Sequence, residues 1–135
     1  MATAYFGRRY TLSASHRLHA ASLSDQENRA AYGKCNNPHG HGHNYVVEVL
    51  VGGEVDAHTG MVVNMATLDE AVRTAVIERF DHANLNFDPL FVNHVPTTEN
   101  LTKAVFDVLK DALPAGKLEY VRVEETENNF FEFRG

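Results

Sequence analysis

Of the eight histidines in this chain, most fall between residues 16 and 58, and the densest run is His39-Gly40-His41-Gly42-His43. Residues two apart on a strand point to the same face, so His41 and His43 can turn both rings toward one ion. By spacing alone, His39 and His41 make an equally good pair. His16 lies on a second segment that reads as strand and offers a third imidazole. Three neutral imidazoles with a fourth position left open form the donor set of a catalytic zinc site. A structural zinc asks for a fourth protein ligand, for which His39 is the candidate. Cys35 sits in Lys34-Cys35-Asn36-Asn37-Pro38, the composition of a polar loop rather than of a core. An exposed thiol there, near Lys34 and a metal, is expected to have a lowered pKa and to serve as base or nucleophile. Asp81 and His82 are sequence neighbours, and on their own they read as a loop after a helix.

The elements that must position these groups follow from periodicity. From Phe6 to Leu18, residues of one parity include Tyr10, Leu12, Ala14 and His16, the alternation of a half-buried strand. The same period recurs from His41 to Val51, with Tyr45, Val47, Val49 and Val51 on the face shared by His41 and His43. Gly52-Gly53 breaks that strand, and Thr59-Gly60 marks a turn. The period then changes: Met65, Leu68, Ala71, Val72, Ala75 and Val76 recur at helical spacing behind Asn64 as cap. A second helix begins at Thr97 or Thr98 and ends at Pro114, with Glu99 favoured by the helix dipole. After a break at Gly116, Leu118 to Glu125 and Asn129 to Arg134 read as a hairpin around Glu127-Asn128. The order β-β-α-α-β-β predicts an α+β domain: a four-stranded antiparallel sheet with two helices on one face. Its open edges, and Phe130, Phe131 and Phe133 on both faces of the last strand, predict oligomerisation.

Composition narrows the function classes. With 135 residues and 44% hydrophobic content, the chain suits one domain spanning residues 1–135. A formal net charge of −6 argues against nucleic acid as partner, so a polyanionic ligand must find a local basic pocket. No apolar run reaches the roughly 18 residues of a membrane span. The opening MATAYFGRRYTLSASHRL carries charges where a signal peptide needs an apolar block, and a single cysteine fits a reducing compartment. Both point to the cytoplasm.

Taken together, SASHRL, GKCNNPHGHGHNY, FDHANLN, PTTENL and ETENN resemble the 6-pyruvoyltetrahydropterin synthase family, in that order and over nearly the whole chain. The resemblance implies a tunnelling fold, in which sheets join into a barrel, trimers stack into a homohexamer and active sites lie between subunits. It implies zinc held by His16, His41 and His43 rather than His39, with Cys35 as the base. Asp81 and His82 match a pair that assists Cys35 in proton transfer. Glu125 matches the glutamate that anchors the pterin, and Thr97, Thr98 and Glu99 match residues lining its pocket. The implied substrate is 7,8-dihydroneopterin triphosphate, with magnesium accompanying the triphosphate. Arg8, Arg9, Arg17 and Lys34 are the cations on offer for it. Two alternatives accompany this reading: a 6-carboxytetrahydropterin synthase of queuosine biosynthesis, and a zinc-dependent pterin-binding protein without catalysis. The ending ETENN favours the pyruvoyl enzyme.

Overall fold

A computed structural model describes residues 2–114 and 117–135. Two long strands form its centre: β1 (Ala4–His16) and β2 (His41–Gly53), antiparallel along their whole length. The register sets His16 opposite His41 and Ala14 opposite His43, so the histidines gather at one end of this ladder. Between the strands lies α1 (Asp25–Tyr32), followed by a 3-10 turn, Gly33–Asn36, that carries Cys35. The short helix α1 was not expected from periodicity. Its start is nevertheless written locally, because Ser24 and Glu27 form a reciprocal capping box.

The helix α2 (Met65–Val72) starts where Asn64 accepts the backbone N–H of Thr67. It continues through a π-helical segment, Arg73–Ile77, and a last α turn, Glu78–Phe80. The expected second long helix, α3 (Thr98–Ala112), is capped by Thr97, whose hydroxyl accepts the N–H of Asn100. The hairpin β4 (Leu118–Thr126) and β5 (Asn129–Phe133) follows, with Glu127 and Asn128 between its strands. The break expected at Gly116 lies outside the described residues.

The sheet order is β3-β1-β2-β4-β5. Its four long members are antiparallel, as the pattern predicts. The fifth, β3 (Ala83–Asn84), is a two-residue strand parallel to β1 at Ala14 and Ser15, too short to leave a periodic signal. Buried Leu12, Tyr45, Val47, Val49, Val51, Val121 and Val123 face Leu68, Val72, Val76, Leu101, Val105 and Leu109 of the helices. His16, His41 and His43 share the parity of this apolar face, which places them where the core ends. The opposite face of the sheet is polar, with Glu48 accepting from Arg9 and Tyr120, and Glu132 from Arg122 and Arg134. On β5, Phe130 is 57% exposed and lies beneath the Arg122 guanidinium, 4.7 Å away, while Phe133 packs edge-on against Phe106. No helix among the described residues is long and apolar enough to cross a membrane.

Candidate active site

The strand ladder brings one donor nitrogen from each of His16, His41 and His43 within 4.8 Å of one another. His16 is the most constrained, at 1% exposure. Its Nδ1 lies 2.7 Å from the Pro96 carbonyl, which can only accept, so Nδ1 carries the proton and Nε2 presents a lone pair. That lone pair lies 2.9 Å from Nε2 of His41. The carbonyl thus does for His16 what an outer-sphere acceptor does for a metal-ligating histidine: it fixes tautomer and ring direction. Nδ1 of His41 and Nε2 of His43 are buried without a hydrogen-bond partner among the described residues. A bound cation would satisfy Nε2 of His43, and with Nε2 of His16 and of His41 that nitrogen makes a donor set that fits a zinc ion. Burial, followed by the His43 ring, holds His41 below the ordinary imidazole value, with Glu125 opposing. Burial also lowers His16, partly offset by the bond to Pro96. Both therefore favour the neutral form that metal ligation needs.

Glycine is required beside this cluster. Gly40 has φ of 73°, and a Cβ there would lie 3.1 Å from the His16 carbonyl oxygen. The chain therefore enters β2 pressed against the end of β1, which brings His41 next to His16.

Glu125, near the end of β4, faces the same group: one carboxylate oxygen is 3.9 Å from Nε2 of His43, and the other accepts a short hydrogen bond from the Thr98 hydroxyl. Thr98 is buried on the first turn of α3, so Thr97 caps the helix and Thr98 is free to hold the carboxylate. Glu99 is exposed and Thr97 is half-buried. The pterin-pocket expectation therefore separates into a carboxylate, its hydroxyl partner and a helix cap.

Cys35 is half-buried rather than exposed. Its turn is tied to the chain leaving β1: the Leu18 N–H donates to the Cys35 carbonyl at 2.9 Å, and the Asn36 side chain donates to Leu18 O at 2.7 Å. These bonds keep the thiol turn beside the segment that follows His16. Tyr45 lies at the floor of the site, its ring 5.5 Å from that of His43 and its hydroxyl buried without a partner. Burial pushes this phenol well above its usual value, Glu125 adds to the effect, the Thr98 hydroxyl opposes it and Cys35 adds a little more.

Asp81 and His82 are not members of the three-histidine cluster. The Asp81 carboxylate accepts the Ser13 N–H at 2.8 Å and stands 3.6 Å from Nε2 of His82. His82 adopts φ of 59°, uncommon outside glycine, and its side chain is 83% exposed. It lines a cavity of about 480 Å³ with Ser13, Ser15, His43 and Asn44. Among the described residues, no hydrogen bond or ion pair joins Asp81 or His82 to Cys35. His39 is exposed and outside the metal cluster.

Periodicity did not single out three features, two of this site and one of a separate cavity. The Pro96 carbonyl is backbone and leaves no trace in residue type. Tyr45 reads as core because its parity is that of Val47 and Val49. The third is Arg29, on the unexpected α1, which lines a cavity of about 500 Å³ with Arg17 and Lys34. Arg8 and Arg9 are drawn away from that cavity by Asp69 and Glu48.

Fold and site together define an α+β protein with a three-histidine cluster that fits a metal ion at the end of an antiparallel ladder, with the Glu125 carboxylate beside it. The family description "6-pyruvoyl tetrahydropterin synthase" matches residues 5–135. A human protein named 6-pyruvoyl tetrahydrobiopterin synthase is 49% identical over 133 residues, covering 98% of this chain and 92% of its own. The solved structure of Caenorhabditis elegans 6-pyruvoyl tetrahydropterin synthase superposes with a TM-score of 0.96 at 41% identity, covering 100% of this chain and 97% of its own. A more distant Archaeoglobus fulgidus protein, named a putative 6-carboxy-5,6,7,8-tetrahydropterin synthase, is 32% identical over 85% of this chain and 91% of its own. The chain belongs to the 6-pyruvoyl tetrahydropterin synthase family.

Proposed function

We propose that this chain is a cytoplasmic lyase that converts 7,8-dihydroneopterin triphosphate to 6-pyruvoyltetrahydropterin and inorganic triphosphate, acting as one domain over residues 1–135. The observation that carries the reading is the convergence of Glu125, held by Thr98, on the face of His43 within the histidine cluster. The aminopyrimidinone edge of a pterin offers N–H donors in the manner of a guanidinium, and a carboxylate accepts two of them. Thr98 keeps Glu125 turned toward that edge. Thr97 and Glu99 shape the mouth of the pocket around it. With the ring fixed at Glu125, the substrate's hydroxylated side chain extends toward His16, His41 and His43.

Those three residues hold zinc, which when bound supplies Lewis-acid polarisation of the side-chain hydroxyls and acidifies the adjacent carbon-bound hydrogen. Cys35, as thiolate, takes that proton. His82, paired with Asp81, returns protons to the side chain and ring, a role suited to a group titrating near neutrality. Among the described residues no hydrogen bond or ion pair joins this pair to Cys35, which supports a pair supplied to each thiol by a neighbouring copy in a homohexamer of two trimers. Triphosphate leaves, the side chain is oxidised to the diketone level and the ring is reduced by the same electrons. No nicotinamide or external oxidant is needed. Magnesium accompanies the triphosphate.

The test is incubation of the zinc-loaded protein with 7,8-dihydroneopterin triphosphate and magnesium, with mass analysis of the products and an acetaldehyde assay. Triphosphate release with all three side-chain carbons retained is expected. Acetaldehyde with a carboxylated pterin would move the chain to 6-carboxytetrahydropterin synthase chemistry, and binding without turnover would leave a pterin-binding protein.

A further inference from the structure

The chain has eight arginines, and six of them form ion pairs with carboxylates: Arg8, Arg9, Arg73, Arg79, Arg122 and Arg134. The other two, Arg17 and Arg29, form no ion pair among the described residues. Both line one cavity of about 500 Å³, together with Lys34, which also forms no ion pair among the described residues. Asp25 is the single carboxylate in the lining, so the cavity has a formal excess of two positive charges in a chain whose net charge is −6. Elsewhere the fold neutralises its arginines. Here it leaves them open.

Position gives the excess charge a meaning. Lys34 and Asn36, on either side of Cys35 in the 3-10 turn, both line the cavity. Arg17 directly follows the metal-cluster residue His16, and its Nε donates to the Asn36 carbonyl at 3.1 Å. That single bond orients the guanidinium while leaving its other donors unspent. Arg29 projects from the α1 helix whose end leads into the same turn.

We propose that Arg17, Arg29 and Lys34 form the polyphosphate subsite, receiving the triphosphate chain of the substrate and holding the released triphosphate. The inference rests on the reading of the site as one for a pterin triphosphate. The chemistry matches: a triphosphate carries several negative charges and many acceptor oxygens, which arginine forks and a lysine ammonium satisfy with charge-assisted bonds. The subsite also explains how an acidic protein attracts a polyanion, since local field rather than net charge steers it. Holding the leaving group beside the Cys35 turn stabilises the negative charge that develops as the carbon–oxygen bond to phosphate breaks and its electron pair departs with the triphosphate.

The probe is inorganic tripolyphosphate with magnesium in excess, which suppresses chelation of bound zinc, titrated calorimetrically into the zinc-loaded protein at low ionic strength. Wild type is expected to bind it saturably, more weakly as salt rises. Arg29→Ala with Lys34→Ala should weaken binding by about 100-fold, taking roughly tenfold for each charged hydrogen-bonding partner lost. Zinc content and affinity for 7,8-dihydroneopterin, which lacks the phosphates, should stay within twofold, and Arg9→Ala should bind tripolyphosphate as wild type does. Unchanged tripolyphosphate affinity in the double variant, absent binding in wild type, or equal loss of 7,8-dihydroneopterin affinity would overturn the subsite. If wild type binds tripolyphosphate but not 7,8-dihydroneopterin, the pterin reading fails while the polyphosphate site stands.

Discussion

The histidine end of the sheet and the Asp81–His82 corner are built on opposite plans. At the first, His16 is 1% exposed, its tautomer is set by Pro96, and Glu125 is held by Thr98. At the second, His82 is 83% exposed on left-handed backbone, and Asp81 is anchored to the Ser13 N–H. The contrast teaches where each part of the chemistry can be completed. At the histidine end, strand register and the hydrogen bonds to Pro96 and from Thr98 fix the direction of each side chain within one chain. On the proposed reading, the proton relay at the corner is completed by the thiol of another copy.

The comparison can be broken most severely at the metal end. His43→Ala should lose stoichiometric zinc and drop turnover to background, as measured by metal analysis and triphosphate release; retained zinc would mean that another residue, such as His39, completes the set. Next in size, Cys35→Ala should keep zinc and pterin binding while turnover falls by about 10²–10⁴-fold, the usual worth of a positioned base. Equal activity would remove the base assignment. Glu125→Gln keeps the shape of the side chain but replaces one acceptor by a donor, and pterin affinity should fall by about tenfold or more. The smallest effect concerns the floor of the site. Tyr45→Phe removes a buried hydroxyl with no hydrogen-bond partner among the described residues, which costs about 1–3 kcal/mol, so Tm should rise by about 3–11 °C. A lower Tm would show that the hydroxyl is bonded.

How far the sequence anticipated these regions follows from the same physics. The two long strands were legible because period-2 alternation carried the histidines on the parity of Tyr45 and Val47, and that parity is what buries them. Both long helices were legible from their apolar spacing and from Asn64 and Thr97 as caps. Strand β3 was not, since two residues cannot show a period, and α1 was not, since only Asn28 of its residues is buried. Spacing alone left His39-Gly40-His41 as good as His41-Gly42-His43. The family resemblance implied the second pair, and the structure gathers His16, His41 and His43 while leaving His39 exposed outside the cluster. The Pro96 carbonyl and the convergence of Arg17, Arg29 and Lys34 depend on chain path, which no local pattern records.

The most direct test of the two-region account is complementation between Cys35→Ala and His82→Ala. Each variant alone should be nearly inactive while retaining zinc. Co-expressed and co-assembled, they should recover a measurable share of wild-type turnover, because some sites then join an intact thiol from one copy to an intact Asp81–His82 pair from another. A mixture no more active than the separate variants, with mixed assembly verified by mass, would contradict the account and require Cys35 and His82 to act within the same chain.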